Sequence, residues 1–364
     1  MLRIGKQKSL RLMVAVLGIS ILGLLLLGAC SSEEGSQEIV EIRVMASSLG
    51  SQSGAMAVAL EDIVNKNSEW VRLRVEPTES GEGDGFYVNE SAARGALIIS
   101  GSMITPNMAQ LGFPPYAANT DPPLTVLATS QGAVGIYTRD ENIKTIRDLA
   151  GKQAELGGPG SAQRALFSEV LDACGVGAEN VKFTSLGGNA AANALAAGTI
   201  DAMYTGLIAG RFADGVIRNG AVPSPRIAAP MQTLGDVYLV DVPADCIDAA
   251  REKSGLNLFP LDVEAGSLQE FMELKYDPSR GQTTTHVSYN PGLLASAEVP
   301  DDVIYEIVRL AIEHVAVFED FHAVGYLMQR MGYTAAPKDL VHPGAIRAYE
   351  EAGWGYSGVA KVGE

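Results

Sequence analysis

Hydrophobic and polar positions run along this chain in short blocks whose period keeps changing. Residues 38–46 (EIVEIRVMA) alternate with a period of two and predict a strand. Met56, Leu60, Ile63 and Val64 then recur at helical spacing. Residues 70–75, 96–100, 124–128 and 133–137 predict four more strands, and 145–150 a short helix. Residues 163–173 predict a helix stopped by Gly175, followed by a strand at 181–183. An alanine-rich helix at 190–197 ends at Gly198 and leads into a strand at 200–204. Near the C-terminus, Asp301 can cap a long helix carrying Val303, Ile307, Leu310, Ala311 and Val315. Strands alternating with helices predict α/β layers and largely parallel sheets. In such sheets ligands sit beyond the carboxyl ends of strands, so the loops leaving strands are the informative ones.

Three of those loops are rich in glycine and hydroxyls. The first is Ser47-Ser48-Leu49-Gly50-Ser51-Gln52-Ser53-Gly54, the second Gly157-Gly158-Pro159-Gly160-Ser161, the third Tyr204-Thr205-Gly206. Glycine lets backbone N–H groups approach a ligand closely, and a helix start offers free donors and partial positive charge. Ordinary turn and capping chemistry accounts for such loops one at a time. Arg164 changes the picture. With Ser161 as N-cap, it stands at the third helical position, where a capping box would carry Glu or Gln. A cation there is unfavourable unless an anion binds beside it. Arg164 is therefore a candidate carboxylate clamp, or else it reaches sideways to a surface acid such as Glu169.

The N-terminus adds an address. Arg3, Lys6, Lys8 and Arg11 precede an apolar run from 12 to 27 and then Leu27-Gly28-Ala29-Cys30. The run is shorter than the roughly 20 residues of a spanning helix. It reads as a lipoprotein signal of residues 1–29, with Cys30 lipidated and 30–38 a polar tether. The membrane is then reached only through the lipid. A chain of 364 residues exceeds one ordinary core, so two lobes are expected. The net charge of −16 disfavours nucleic acid as a partner. Cys174 and Cys246 are either a disulfide or two buried thiols. His286, His314, His322 and His342 show no ligand spacing, so no metal and no cofactor are expected. The loop from Gly157 to Arg164 matches neither a Walker A nor the GxGxxG of a dinucleotide fold, and Gly50 to Gly54 does not fit GxSxG, which disfavours an enzyme.

The chain resembles the TAXI family, the solute receptors of TRAP transporters. The resemblance runs from about Ile42 to Trp354. It is carried by the Ser/Gly loop at 44–54 and by IKTIRDLAGKQAELGGPGSAQRA at 143–165. LAAGTIDAMYTG at 195–206, VPDDVIYEIVRLAIEH at 299–314 and LVHPGAIRAYEEAGW at 340–354 complete it. It implies a two-lobe, type II periplasmic-binding fold, each lobe a mostly parallel sheet flanked by helices. Lobe 1 would be 39–132 plus 292–364 and lobe 2 133–291, with 133–137 and 286–294 crossing between them. It further implies a monomeric, lipid-anchored receptor for a small carboxylate-bearing solute, served by a TRAP-type permease. By motif, the ligand set would be Ser48, Ser51, Ser53, Ser102, Gly160, Ser161, Arg164, Tyr204, Thr205 and Tyr276. Two segments depart from the family pattern, 79–103 and 276–282; the first keeps Ser102 without an aspartate. The same fold serving an ABC importer is one alternative, and an enzyme or a sensor subunit on that scaffold is another.

Overall fold

The structure is a computed structural model that describes residues 38–46, 52–77, 95, 97–100, 104–114, 116, 121–128, 131–159, 161–209, 216–217, 222–289, 292–322, 325 and 338–353. Cys30, Ser48, Ser51, Ser102 and Gly160 lie outside the described residues, as do residues 1–29 and the rest of the expected signal and tether up to Gln37. Among the described residues no helix is long and apolar enough to cross a membrane.

Two sheets organise the chain. The first contains β1 (Val40–Ala46), β2 (Val71–Pro77), β3 (Leu97–Ser100), β4 (Leu124–Ala128) and, much later, β14 (Gly292–Ala295). Their order is β2-β1-β3-β14-β4. The second contains β5 (Gln131–Thr138), β6 (Gln153–Glu155), β7 (Lys182–Phe183), β8 (Ala202–Ala209), β9 (Val216–Ile217), β12 (Pro260–Val263) and β13 (Thr284–Tyr289). Their order is β7-β6-β8-β5-β13-β12-β9, with β10 (Val222–Pro223) paired to β8 and β11 (Tyr238–Val240) to β5. β1 pairs in parallel with β2 and β3, and β6 with β7 and β8, as helix-linked strands must. The antiparallel members are chiefly β5, β13 and β14, the strands that carry the chain from one sheet to the other and back.

The first core is built as the period-two and helical patterns dictate. Ile42, Val44 and Ala46 of β1 point one way. They meet Met56, Leu60 and Ile63 of α1 (Gln52–Asn67). Two late helices, α8 (Asp301–Glu313) and α10 (Pro343–Glu351), pack on the same core. α8 adds Val303, Ile304 and Ile307 to that core, and its first turn holds Asp301 and Asp302, favourable at a helix start. α10 adds Ala345, Ala348 and Tyr349.

The second sheet is apolar on both faces, and β5 shows why: Val134 and Ile136 face one core, Ala133 and Tyr137 the other. The first face is covered by α3 (Ala162–Ala173) and α6 (Ala244–Ser254), the second by α4 (Gly188–Ala196) and α5 (Pro225–Leu234). Cys174, capping the end of α3, is bonded to Cys246 in α6, across a sequence separation of 72 residues.

One helix sits in unexpected company. α2 (Thr105–Leu111) lies in sequence between β3 and β4 of the first sheet. Its Met108 and Ala109 are nevertheless buried in the second sheet's core beside Leu256 and Leu258. The Asn257 N–H donates to Asn107 Oδ1 at 2.9 Å, fixing the same contact.

Candidate functional site

Strand order and register locate the site before any side chain is considered. In the first sheet the chain leaves β1 towards β2 and leaves β3 towards β4, in opposite directions from adjacent strands. In the second it leaves β6 towards β7 and β8 towards β9, again in opposite directions from neighbours. Each is a topological switch point, where the connections part and leave a crevice at the carboxyl ends of the strands.

Both crevices open towards the junction between the sheets. β4 ends at Ala128 and β5 begins at Gln131; β13 ends at Tyr289 and β14 begins at Gly292. Gly292 pairs with Ser100, the carboxyl end of β3, and Ala46 of β1 pairs with Ile99. On the other side Gln131 pairs with Ala209, the carboxyl end of β8, and Glu155 of β6 pairs with Met203. The carboxyl ends of β1, β3 and β8 therefore lie at the junction, and β6, which ends beside Met203 near the start of β8, runs parallel to β8 and so points the same way.

Local chemistry holds the loop after β6 in place. Gly157 has φ +106, a left-handed conformation that favours glycine, and a β-carbon there would lie 2.6 Å from Arg164 N and 2.7 Å from Ser161 Oγ. Ser161 is the N-cap of α3, its Oγ accepting from the Arg164 N–H at 3.1 Å. Ser161→Ala is expected to cost about 1 kcal/mol, read as a lowered denaturation midpoint with unchanged m-value.

The Arg164 guanidinium folds back on this loop. Nε donates to Gly157 O at 2.8 Å, Nη2 donates to Thr184 O at 3.2 Å, and the group lies over the Phe183 ring at 3.8 Å. Burial lowers its pKa, opposed by the charge of Glu155. Of the two expectations for Arg164, the lateral reach to Glu169 is not what forms: Glu169 lies near Lys253. Arg164 braces the loops after β6 and β7 against each other.

Glu155 was missed by sequence reasoning. It is 6% exposed and accepts from Gly157 N at 3.3 Å, Thr184 Oγ at 2.8 Å and Leu186 N at 2.7 Å. A lone acid closing a predicted strand just before a glycine pair is the signal that could have found it.

The remaining expected residues divide. Ser53 stands half-buried in the first turn of α1, the helix entered from β1. Tyr204 and Thr205 point to opposite faces of β8. Tyr204 packs against Phe167 of α3 with ring centroids 5.8 Å apart, while Thr205, 4% exposed, faces α4 and α5. Tyr276 belongs elsewhere, which corrects its expected place in the cleft. Its hydroxyl donates to Met231 O at 3.2 Å and accepts from Val237 N at 3.3 Å, and its ring meets Tyr238 edge-on. Tyr238 pairs with Thr138, the end of β5 farthest from the junction. Burial raises the Tyr276 pKa to about 12, so the phenol stays neutral as a structural tie.

Two α/β sheets joined by paired crossing strands, with switch-point crevices facing the junction, define the two-lobe fold of periplasmic solute-binding proteins. The sequence profile of the NMT1-like family matches residues 125–353, more than half of the chain, and the protein belongs to that family. Among solved structures, it is similar to MatC from Rhodopseudomonas palustris with bound malate, at 14% identity and TM-score 0.49, covering 86% of this chain and 98% of that one. It is also similar to the periplasmic aliphatic sulphonate binding protein SsuA from Escherichia coli, at 15% identity and TM-score 0.41, covering 80% and 77%. An ancestral arginine-binding protein bound to arginine matches at 12% identity and TM-score 0.40, covering 86% and 97%.

Proposed function

We propose that this protein is an extracytoplasmic solute receptor that captures a small carboxylate-bearing metabolite between its lobes and delivers it to a membrane permease. The observation that supports this reading is the shared orientation of the two switch points, whose strands run with their carboxyl ends towards the junction between the sheets. Closure would rotate the lobes, 39–132 with 292–364 against 133–291, about the crossing segments. The Ser/Gly loops at 47–54 and 157–161, with Thr205 and Ser102, would supply hydroxyls and main-chain donors to the solute. A TRAP-type permease is the partner suggested by the TAXI resemblance of residues 143–165 and 195–206. Export fits the leader and the Cys174–Cys246 bond, since disulfides persist in oxidising compartments; Cys30 would carry the lipid.

The test is thermal-shift screening against amino acids, dicarboxylates and keto acids. A true ligand at 100-fold its dissociation constant raises Tm by several degrees, by mass action on the folded state. Turnover of any of them would replace the receptor with an enzyme, and a uniformly flat screen would remove the carboxylate class.

A further inference from the structure

At the start of α5 (Pro225–Leu234) one cation, Arg226, has no acid paired to it among the described residues. Arg226 lies in the first turn of α5, and Ser224 N donates to Gly206 O at 3.0 Å, so this turn begins beside Thr205. The Arg226 guanidinium lies flat on the start of α4: a β-carbon built on Gly188 would fall 2.6 Å from its Cζ. Any larger residue at 188 would displace the guanidinium from this position. Among the described residues Arg226 forms no ion pair and no hydrogen bond, in contrast to Arg139, Arg164 and Arg280, each of which is tied to carboxylates or carbonyls.

Two helix starts meet there, and neither is capped by a side chain. Gly187 is the N-cap of α4 and Ser224 that of α5, and the Ser224 hydroxyl makes no capping bond. Each end carries partial positive charge; at α4 the N–H groups before Ala191 have no helical acceptor, whereas at α5 Pro225 has no N–H and Ile227 N donates to Ser224 O, which leaves the Arg226 N–H. A guanidinium between two such ends is electrostatically unfavourable in the empty protein, and an oxyanion reverses the sign of all three terms.

A buried hydroxyl on the same face marks the same spot. Tyr137 is 0% exposed, and its Oη has no hydrogen-bond partner. Its ring runs back along β5 over Gly135, with Oη 2.9 Å from where a β-carbon on Gly135 would stand, towards the junction end of the sheet. Gly135 pairs with Thr205. Tyr137, Ala191 of α4 and Ile227 of α5 share one cluster, and Ser224, at the start of α5, bonds Gly206, which pairs with Val134 beside Gly135, so the hydroxyl lies on the sheet face from which both helices rise. An unpaired buried hydroxyl is costly, and this is where a ligand oxygen would satisfy it.

We propose that Arg226, with the N-termini of α4 and α5 and the Tyr137 hydroxyl, forms the oxyanion subsite that holds the solute's carboxylate. This deepens the receptor reading above and rests on it; Arg164 then serves as a brace and Arg226 as the charged anchor. Guanidinium groups pair with carboxylates in a bidentate manner, which lysine does not reproduce.

The experiment uses the full-length protein with L-malate, L-glutamate and inorganic sulfate as probes. Arg226 is expected to react readily with phenylglyoxal, mapped by peptide mass, and at least fivefold more slowly when a bound probe covers it. Calorimetry on Arg226→Gln should show more than a tenfold loss of affinity for the organic acid that binds the wild type, with Tm nearly unchanged, and Arg226→Lys should recover part of it. Tyr137→Phe should raise the ligand-free Tm yet weaken binding severalfold, a combination that a purely structural tyrosine would not give. An organic acid that binds wild type and Arg226→Gln equally overturns the subsite and leaves the receptor reading standing. Sulfate protection without any organic-acid binding overturns the assignment of the subsite to a carboxylate and sinks the carboxylate-receptor reading with it. No protection by any probe overturns the subsite whatever the screen shows.

Discussion

Replacing both Cys174 and Cys246 by serine is expected to lower the free energy of unfolding by about 4 kcal/mol. The bond spans 72 residues of sequence, and loop closure of that length removes substantial entropy from the unfolded chain. The closed loop holds β7, α4, β8 and α5, hence Thr184, Leu186, Thr205 and Arg226. It also pins α3 to α6 over the core that contains Phe167, Val170 and Ile247. Guanidinium denaturation of the wild type with and without reductant, beside the double variant, measures the effect. The reduced wild type should match the double variant. A loss below about 1 kcal/mol would show that the unfolded chain gains little freedom when the bond is absent.

Acidification from pH 7 to pH 4 is expected to remove about 3 kcal/mol through His286 alone. His286 is 0% exposed on β13, with Nε2 paired to Thr284 Oγ at 2.9 Å and Nδ1 without a partner. Burial lowers its pKa from 6.5 to about 3, because the imidazolium would lose its water. The unfolded chain therefore binds a proton that the folded chain refuses. The contribution is complete above pH 6.5 and drains away as the pH falls towards 3. His342 acts in the same direction, its pKa lowered by burial, with the Asp301 carboxylate opposing. Its Nδ1 accepts from Gly344 N and its Nε2 donates to Val299 O, so protonation would set one N–H against another. Urea denaturation at pH 7 and pH 4 should show His286→Gln losing about 3 kcal/mol less than the wild type across that interval. Equal losses would mean that other groups govern acid sensitivity.

Much of the architecture was legible from pattern. The strands at β1, β4, β5 and β8 and the helices α3, α4 and α8 fall where the apolar spacing puts them, because each buries one stripe or face against one core. The length of β8 was underestimated, since its alternation is interrupted by Gly206. The residues 145–150, read as a short helix, form a 3-10 helix over Ile146–Leu149, held by a capping box of Thr145 and Asp148. The pairing of Cys174 with Cys246 was open, because spacing says nothing about which helices will pack.

The site was less legible, for one physical reason. A motif tells what a side chain can do, whereas the fold decides what it is already doing. Arg164 carries the right chemistry for an anion, but two backbone carbonyls and an aromatic ring reach it first. Tyr276 has a hydroxyl, yet it ties α5 to the start of β11. Arg226 follows an unremarkable Ser-Pro and has no local signal; its placement depends on Gly188, 38 positions earlier, lacking a side chain.

The excursion of α2 has a consequence for engineering. Met108, Ala109 and Tyr116 complete the second lobe's interior, yet the ribbon that brings them arrives from strands of the first. The halves are thus not separable modules. A graft of residues 131–289 onto a relative's scaffold would leave an apolar socket beside Leu256 and Leu258, and a working chimera must carry residues 105–116 along with it.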